Sequence, residues 1–444
     1  MKRSIHYLHL LFVLVVLLLA PSLANASLKP IESNFLVFND IHLDQSDWLP
    51  MTINPSIPNP LNDLDQGRFE TMLSLINTNI KNGIVPKPQF ILILGDISGH
   101  ARVIPDSAIK NESVVFSKLK AHFEHTPIFY IFGNNDSLKA NYGPFYDRTL
   151  SGRDKSPYDV AISHSGWLDG FLSTGAHCKP KHSRYPCLIS EDPVNGYYSA
   201  YLHNKLRLIA LNSVLFAEIR GPITKNAETD QLQWLSAQLE SAKINHESVL
   251  IAMHIPPGNN AYDHSSFWFP REQANFLKSV KIYRHTIIGL LAAHTHAEEL
   301  KVIKASPHQI IGGLYITAAL STSHGNAPAI KTFYFSKRNG QWLLSNYQTF
   351  NFLQTNGKLT LNKLYDYQRY YCNHHETNVT ACLDQISIAK MKKYYSAGNP
   401  NFDGIIGSPN DISVVIEWAK RTQWLCFEPL CSLFLYYVYN NHIG

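Results

Sequence analysis

The 444-residue chain is short of charge: Asp, Glu, Lys and Arg make up only 16% of it, with 39 Lys and Arg against 34 Asp and Glu. A surplus that small does not mark a protein that holds nucleic acid or a membrane surface by net charge. Cysteine is scarce as well. There are six, none in a Cys-x-x-Cys pair, which argues against a zinc-thiolate or redox dithiol site. Past residue 20 no apolar run approaches the ~20 residues of a spanning helix, and Leu433 to Val438 falls far short. The absence of internal repeats and low-complexity segments excludes solenoid and array architectures.

What remains is an apolar chain, 45% hydrophobic and long enough to bury one large core plus a smaller appended domain. Its start is distinctive. Met1-Lys2-Arg3 is positive, Leu8 to Ala20 is nearly unbroken hydrocarbon, and Ala24-Asn25-Ala26 carries small residues where a signal peptidase cuts. Residues 1–26 therefore read as a secretory signal peptide, and the mature chain as a secreted, periplasmic or lumenal monomer. An even number of cysteines suits an oxidising compartment. Their local spacing suggests neighbour pairing: Cys178 with Cys187, Cys372 with Cys382, Cys426 with Cys431.

From residue 35 short β-branched or aromatic runs alternate with helical patterns. Phe35–Phe38, Phe90–Leu94 and Ile128–Phe132 read as buried strands, separated by helices, the first with Phe69, Met72, Leu73 and Ile76 on one face. Residues 140–190 are looser. A hairpin follows around His203-Asn204-Lys205, then a helix with Leu232, Leu235 and Leu239 on one face, and strands Val249–Met253 and Ile287–Leu291. Tyr315–Ala318, Thr332–Phe335 and Trp342–Tyr347 are later strands, the last two joined by an Asn339-Gly340 turn. The order βαβαβ gives an α/β domain over 27–352. Beyond 353 the texture turns helical, as at Ile386–Tyr395 and Ile412–Trp424, and 353–444 reads as a small disulfide-tied subdomain.

Ligand-type residues follow five of the buried strands, at the carboxyl ends where α/β sheets place their sites. In order they are Asn39-Asp40-Ile41-His42, Gly95-Asp96, Gly133-Asn134-Asn135-Asp136, His254, and His294-Thr295-His296. Singly, each is a common turn or a core histidine. Together, imidazole, carboxylate and carboxamide oxygens suit zinc, iron or manganese and leave positions open. Two such ions about 3.5–4 Å apart can clamp a phosphate and lower the pKa of a shared water. One carboxylate must then bridge them, and Asp96, from a central strand, is the natural choice.

As an ordered set over roughly residues 33–350, these motifs resemble the calcineurin-like metallophosphoesterases. The resemblance implies a four-layer α/β/β/α sandwich. It also implies one metal on Asp40, His42 and His296, a second on Asn134, His254 and His294, and Asp96 bridging. Asp40-Ile41-His42-Leu43-Asp44, Gly95-Asp96-Ile97-Ser98-Gly99-His100, His254-Ile255-Pro256-Pro257-Gly258 and His294-Thr295-His296-Ala297-Glu298-Glu299 are similar to the acid sphingomyelinase-like phosphodiesterases. These are exported, disulfide-containing and zinc-dependent, which implies zinc here and a phosphodiester, lipid-headgroup or phosphoanhydride substrate.

Two positions depart from the pattern. Ala293 stands where glycine is usual, and Asn135 where the family has the histidine that serves the leaving group. Asn can donate a hydrogen bond but cannot act as a general acid near neutral pH. Gly-Asn-Asn-Asp also resembles the fungal endopolyphosphatases, whose leaving groups need less protonation. His100 is the candidate acid in its place, with orientation of a ligand as the alternative role. Tyr142, Tyr262, His264 and Trp268 lie in loops near the motifs and are expected to shape substrate entry. Two rival readings stand beside the phosphodiesterase: an acid phosphomonoesterase, and a secreted metal-binding protein with little catalysis.

Overall fold

The computed structural model describes residues 31–44, 63–100, 107–150, 152–163, 178, 185–260, 265–306, 309–322, 327–355, 358–372, 378–383 and 386. The signal peptide, Tyr262, His264, the Cys426–Cys431 pair and the helices read at 386–395 and 412–424 lie outside them, apart from Ile386 itself.

Two β-sheets form the frame. The first has strand order β13-β12-β11-β1-β2-β3, with β1 Ile31–Phe38, β2 Phe90–Ile93, β3 Ile128–Tyr130, β11 Ala329–Arg338, β12 Gln341–Thr355 and β13 Lys358–Asp366. The second runs β4-β5-β6-β7-β8-β10-β9, with β4 Cys187–Asp192, β5 Tyr197–His203, β6 Leu206–Ala210, β7 Ser248–Ala252, β8 Ile287–Ala292, β9 Glu299–Ser306 and β10 Gln309–Ile316. Each sheet holds a parallel block, β1-β2-β3 in one and β6-β7-β8-β10 in the other. Such parallel pairing demands crossover connections, because a parallel neighbour cannot be reached by a tight turn. Helices α1 (Gln66–Lys81) and α2 (Ser107–His122) join the first block; α4 (Ala227–Ile244) and α5 (Pro270–Ile282) join strands of the second. A short α3 spans Pro157–Ser163.

Strand alternation explains the layers. In β7, Leu250 and Ala252 belong to the core between the sheets, whereas Val249 and Ile251 pack with Leu235, Leu239 and Phe276 of α4 and α5. Leu208 and Ile209 of β6 divide the same way. On the far side Phe69, Met72, Leu73 and Ile76, the predicted face of α1, join the core beneath the first sheet. Asp65 caps that helix, its side chain accepting from the Arg68 N–H at 2.8 Å. The result is the expected α/β/β/α sandwich, and two of the expected disulfides, Cys178–Cys187 and Cys372–Cys382, are formed.

The switch to helix at residue 353 needs correction. Strand β12 continues to Thr355, and Lys358–Asp366 pairs with it antiparallel before a five-residue helix, α6 (Tyr367–Tyr371). The sandwich therefore extends to residue 366. Strands β4 and β9 were also not anticipated, and no helix among the described residues is long and apolar enough to cross a membrane.

Candidate metal centre

The carboxyl ends of β1, β2, β3, β7 and β8 bring the seven expected side chains together, six of them buried and His294 half-buried. Asp40, His42 and His296 offer ligand atoms within 4.8 Å of one another, and so do Asp96, His254 and His294. Asp96 Oδ2 lies 3.6 Å from His42 Nε2 and 3.3 Å from His254 Nε2, between the two groups. Asn134 joins the second group, its Oδ1 3.0 Å from His254 Nε2.

The backbone is bent hard to achieve this. Asp40, His42, Asp96, His294 and His296 have φ of 44°, 47°, 53°, 77° and 60°. Non-glycine residues there cost of order 1–3 kcal/mol each and persist only where surroundings over-determine them. Hydrogen bonds do so: Asp40 N–H donates to Gly95 O at 3.0 Å, His42 N–H to Asp96 O at 3.0 Å, and Ala319 N–H to His296 O at 3.0 Å. Gly133 is required for another reason. A Cβ there would meet Asp96 Oδ1 at 2.2 Å, so any side chain would push the central carboxylate aside.

Hydrogen-bond partners orient these candidate ligands. The Leu94 carbonyl accepts from His254 Nδ1 at 2.7 Å, which leaves Nε2 for the centre. Asn141 accepts from Asn134 Nδ2 at 2.7 Å and so turns the carboxamide oxygen inward. Asn39 donates to Asp40 Oδ2 at 2.6 Å. Asp136 takes the N–H groups of Asp96, Ile97 and Gly133 at 2.9, 2.8 and 2.7 Å, clamping two ligand loops together. Asp136 stands in the 133–136 motif and Asn141 outside it, but their orienting roles are found only when the loops meet in space.

The buried carboxylates and imidazoles shift one another strongly. Burial, with Asp96 adding to it against the pull of His254, pushes Asp40 up to about 7. Burial also works to raise Asp96, but His254 beside it outweighs this and holds that carboxyl well below the usual range. Burial disfavours a proton on His254, yet Asp96 overrides it and pushes the imidazole up to about 9. Burial takes His42 down to about 4 against the attraction of Asp96. Meanwhile Asp40 Oδ1 is fully buried with no hydrogen-bond partner, 3.5 Å from His296 Nε2 and 3.9 Å from His42 and His254 Nε2. Such an oxygen is costly unless something positive satisfies it. The donor set of imidazole, carboxylate and carboxamide therefore fits divalent cations.

The remaining site residues divide. His100 stacks on His42 with ring centroids 4.3 Å apart, and its Nδ1 sits 2.8 Å from Asp63 Oδ1. Asp63 also accepts the His100 N–H at 2.6 Å, a partner the sequence reading missed. Burial lowers His100's hold on a proton, but the Asp63 hydrogen bond outweighs it, so the net shift is upward. Asn135 is turned onto the central carboxylate: its backbone N–H donates to Asp96 Oδ1 at 2.8 Å and its amide to Oδ2 at 2.9 Å. Tyr142 reaches the site, its hydroxyl 3.3 Å from His294 Nε2. Trp268 does not. It is fully buried against Phe216 and Phe276, with its indole N–H donated to Ile255 O at 3.1 Å, so it is a core residue and not one that lines substrate entry.

This constellation lies at one end of the two-sheet sandwich, and the calcineurin-like phosphoesterase profile matches residues 33–298. The chain belongs to that family. Within it, the chain is similar to the sphingomyelinase-like branch. Sphingomyelin phosphodiesterase 2 of Caenorhabditis elegans is 25% identical over 54% of this chain and 36% of its own length. Sphingomyelin phosphodiesterase of Bos taurus is 33% identical over 54% of this chain and 34% of its own. Acid sphingomyelinase-like phosphodiesterase 3b of Mus musculus is 23% identical over 67% and 64%. The chain thus spans about a third to two thirds of the length of these relatives.

Proposed function

We propose that the chain is an exported hydrolase of phosphodiesters that works with two divalent cations, zinc foremost, with iron or manganese as alternatives. The observation that carries this reading is Asp96 Oδ2 lying between His42 and His254, each imidazole backed by its own ligand group. Asp40, His42 and His296 would hold one cation, Asn134, His254 and His294 the other, with Asp96 shared. Bound there, the cations would supply Lewis acidity toward the phosphoryl oxygens and make an attacking water acidic enough to react near neutral pH.

The chain's own residues do the rest. Asp63 holds His100 at Nδ1 and by its N–H, which fixes the ring against His42 and leaves Nε2 as the atom that would pass a proton to the leaving oxygen. Tyr142 steadies His294 and borders the centre. The disulfides at Cys178–Cys187 and Cys372–Cys382 support export to an oxidising compartment.

One observation favours a second reading. Asn135 spends its amide on Asp96, and it can serve no leaving group as an acid. That favours substrates whose leaving group departs without a proton, such as condensed phosphates. The test is a panel of bis(p-nitrophenyl) phosphate, p-nitrophenyl phosphate and tripolyphosphate. Preference for the diester supports the leading reading, preference for tripolyphosphate the second, and preference for the monoester rejects both.

A further inference from the structure

The first group of ligands is drawn from both sheets. Asp40 and His42 follow β1 of the first sheet, whereas His296 follows β8 of the second. Something must fix the spacing of the sheets at this point, because the ligand atoms will otherwise not share a coordination sphere.

A buried ion pair sits where this spacing is set. Glu298 follows His296 in the connection from β8 to β9 and is 2% exposed. Lys331, also 2% exposed, lies on β11 and is paired in register with Val37 of β1, just ahead of the Asp40 loop. Its Nζ binds Glu298 Oε1. The same oxygen accepts from Tyr365 Oη on β13 and from Thr349 Oγ1 on β12, the latter at 3.1 Å. Lys331 Nζ is also 4.2 Å from the Tyr347 ring centroid, over whose face the cation is attracted. Three adjacent strands of the first sheet thus grip one carboxylate of the second. A buried pair of this kind contributes little net stability over apolar residues of similar volume. Its geometry, by contrast, is specific.

We propose that Glu298, with Lys331 and Tyr365, is a positioning device that holds His296 in register with Asp40 and His42, so that it governs one of the two metal sites and not the other. This rests on the binuclear reading above. Beyond its N–H bond to Asp40 Oδ2 at 3.2 Å, which ties it to the first group, His294 is held by the Tyr142 hydroxyl, and the second group has its own supports at Leu94 and Asn141.

The test is a metal titration of the metal-free mature protein with zinc, followed calorimetrically and by metal content after gel filtration. The double variant Glu298→Gln/Lys331→Met removes both charges together and so avoids a stranded buried ion. It is expected to melt, without metal, within a few degrees of the wild type, while one site loses roughly 10-fold or more in affinity and retained zinc falls from two ions to one. Tyr365→Phe, which keeps the ion pair, is expected to weaken the same site by a few-fold and leave the other unchanged. Both sites retaining wild-type affinity in the two variants would overturn the proposal. So would an equal loss at both sites, which a general loosening of the fold would produce. A wild-type protein that binds fewer than two ions fails the binuclear reading itself.

Discussion

Asp136 gives the sharpest prediction about how the centre is built. Its carboxylate is 2% exposed and receives three backbone N–H groups, two at Oδ2 from Asp96 and Gly133 and one at Oδ1 from Ile97. Asp136→Ala strands all three donors between two ligand loops. An orphaned buried donor costs about 1–3 kcal/mol, and partial hydration of the space left behind puts the sum at about 3–6 kcal/mol. That is a large share of the ~5–15 kcal/mol by which a domain is stable. Asp136→Asn separates the contributions. If its oxygen takes the Oδ2 place, two bonds survive while the amide NH2 faces the Ile97 N–H, so the loss should be about half as large. Urea unfolding of the metal-free proteins measures both, and zinc titration of the folded fraction should show weaker binding in the order wild type, Asn, Ala. An Ala variant within 1 kcal/mol of wild type would refute the claim that this carboxylate clamps the loops.

Other predictions follow from single contacts. Asn141→Ala frees the Asn134 amide to flip and should weaken zinc by roughly 10-fold at one site, read by calorimetry with the fold checked by circular dichroism. His100→Ala should slow alkyl phosphodiesters far more than aryl ones, and equal losses on both would rule His100 out as the proton donor. Lys301 is fully buried on β9, its Nζ donating to Asn259 O at 2.9 Å, and burial, opposed by Glu299, takes it down to about 8. A lysine depressed in the folded state destabilises it in full below that pH, and the penalty lifts as pH climbs toward its unfolded value near 10.5. Metal-free wild type should therefore gain about 2–4 kcal/mol relative to Lys301→Met between pH 8 and 10.5; parallel stability curves for the two proteins would contradict this. Trp268→Phe, a core change that also drops the indole bond to Ile255, should lower the melting temperature while leaving KM for bis(p-nitrophenyl) phosphate unchanged.

How much of this could be read from the sequence follows from where each element sits. Central strands such as β2, β7 and β8 are covered on both faces and write themselves as unbroken apolar runs. The strands not foreseen, β4, β9 and β13, are all at sheet edges. Edge strands are half solvated, and Lys304, Lys358, Asn362 and Lys363 break the pattern by which strands are recognised, as does the buried Lys301. The same Lys- and Asn-rich texture made residues 353–366 look helical. At the site the candidate ligands were legible because each follows a legible strand. Their orienting partners were not, since Asp63, Asp136, Asn141 and the Glu298–Lys331 pair matter only through loops and sheets far apart in sequence. Trp268 misled for the converse reason: a loop residue close to a motif can still be driven inward by its apolar area.

The most direct test of the account is metal content together with hydrolysis of bis(p-nitrophenyl) phosphate, for the purified mature protein and its Asp96→Asn variant. Two divalent ions per chain with turnover in the wild type, and loss of turnover with weakened metal in the variant, is the predicted result. A wild-type protein that takes up no metal on reconstitution, or a variant that turns over as fast as its parent, would contradict the shared-carboxylate centre on which everything else depends.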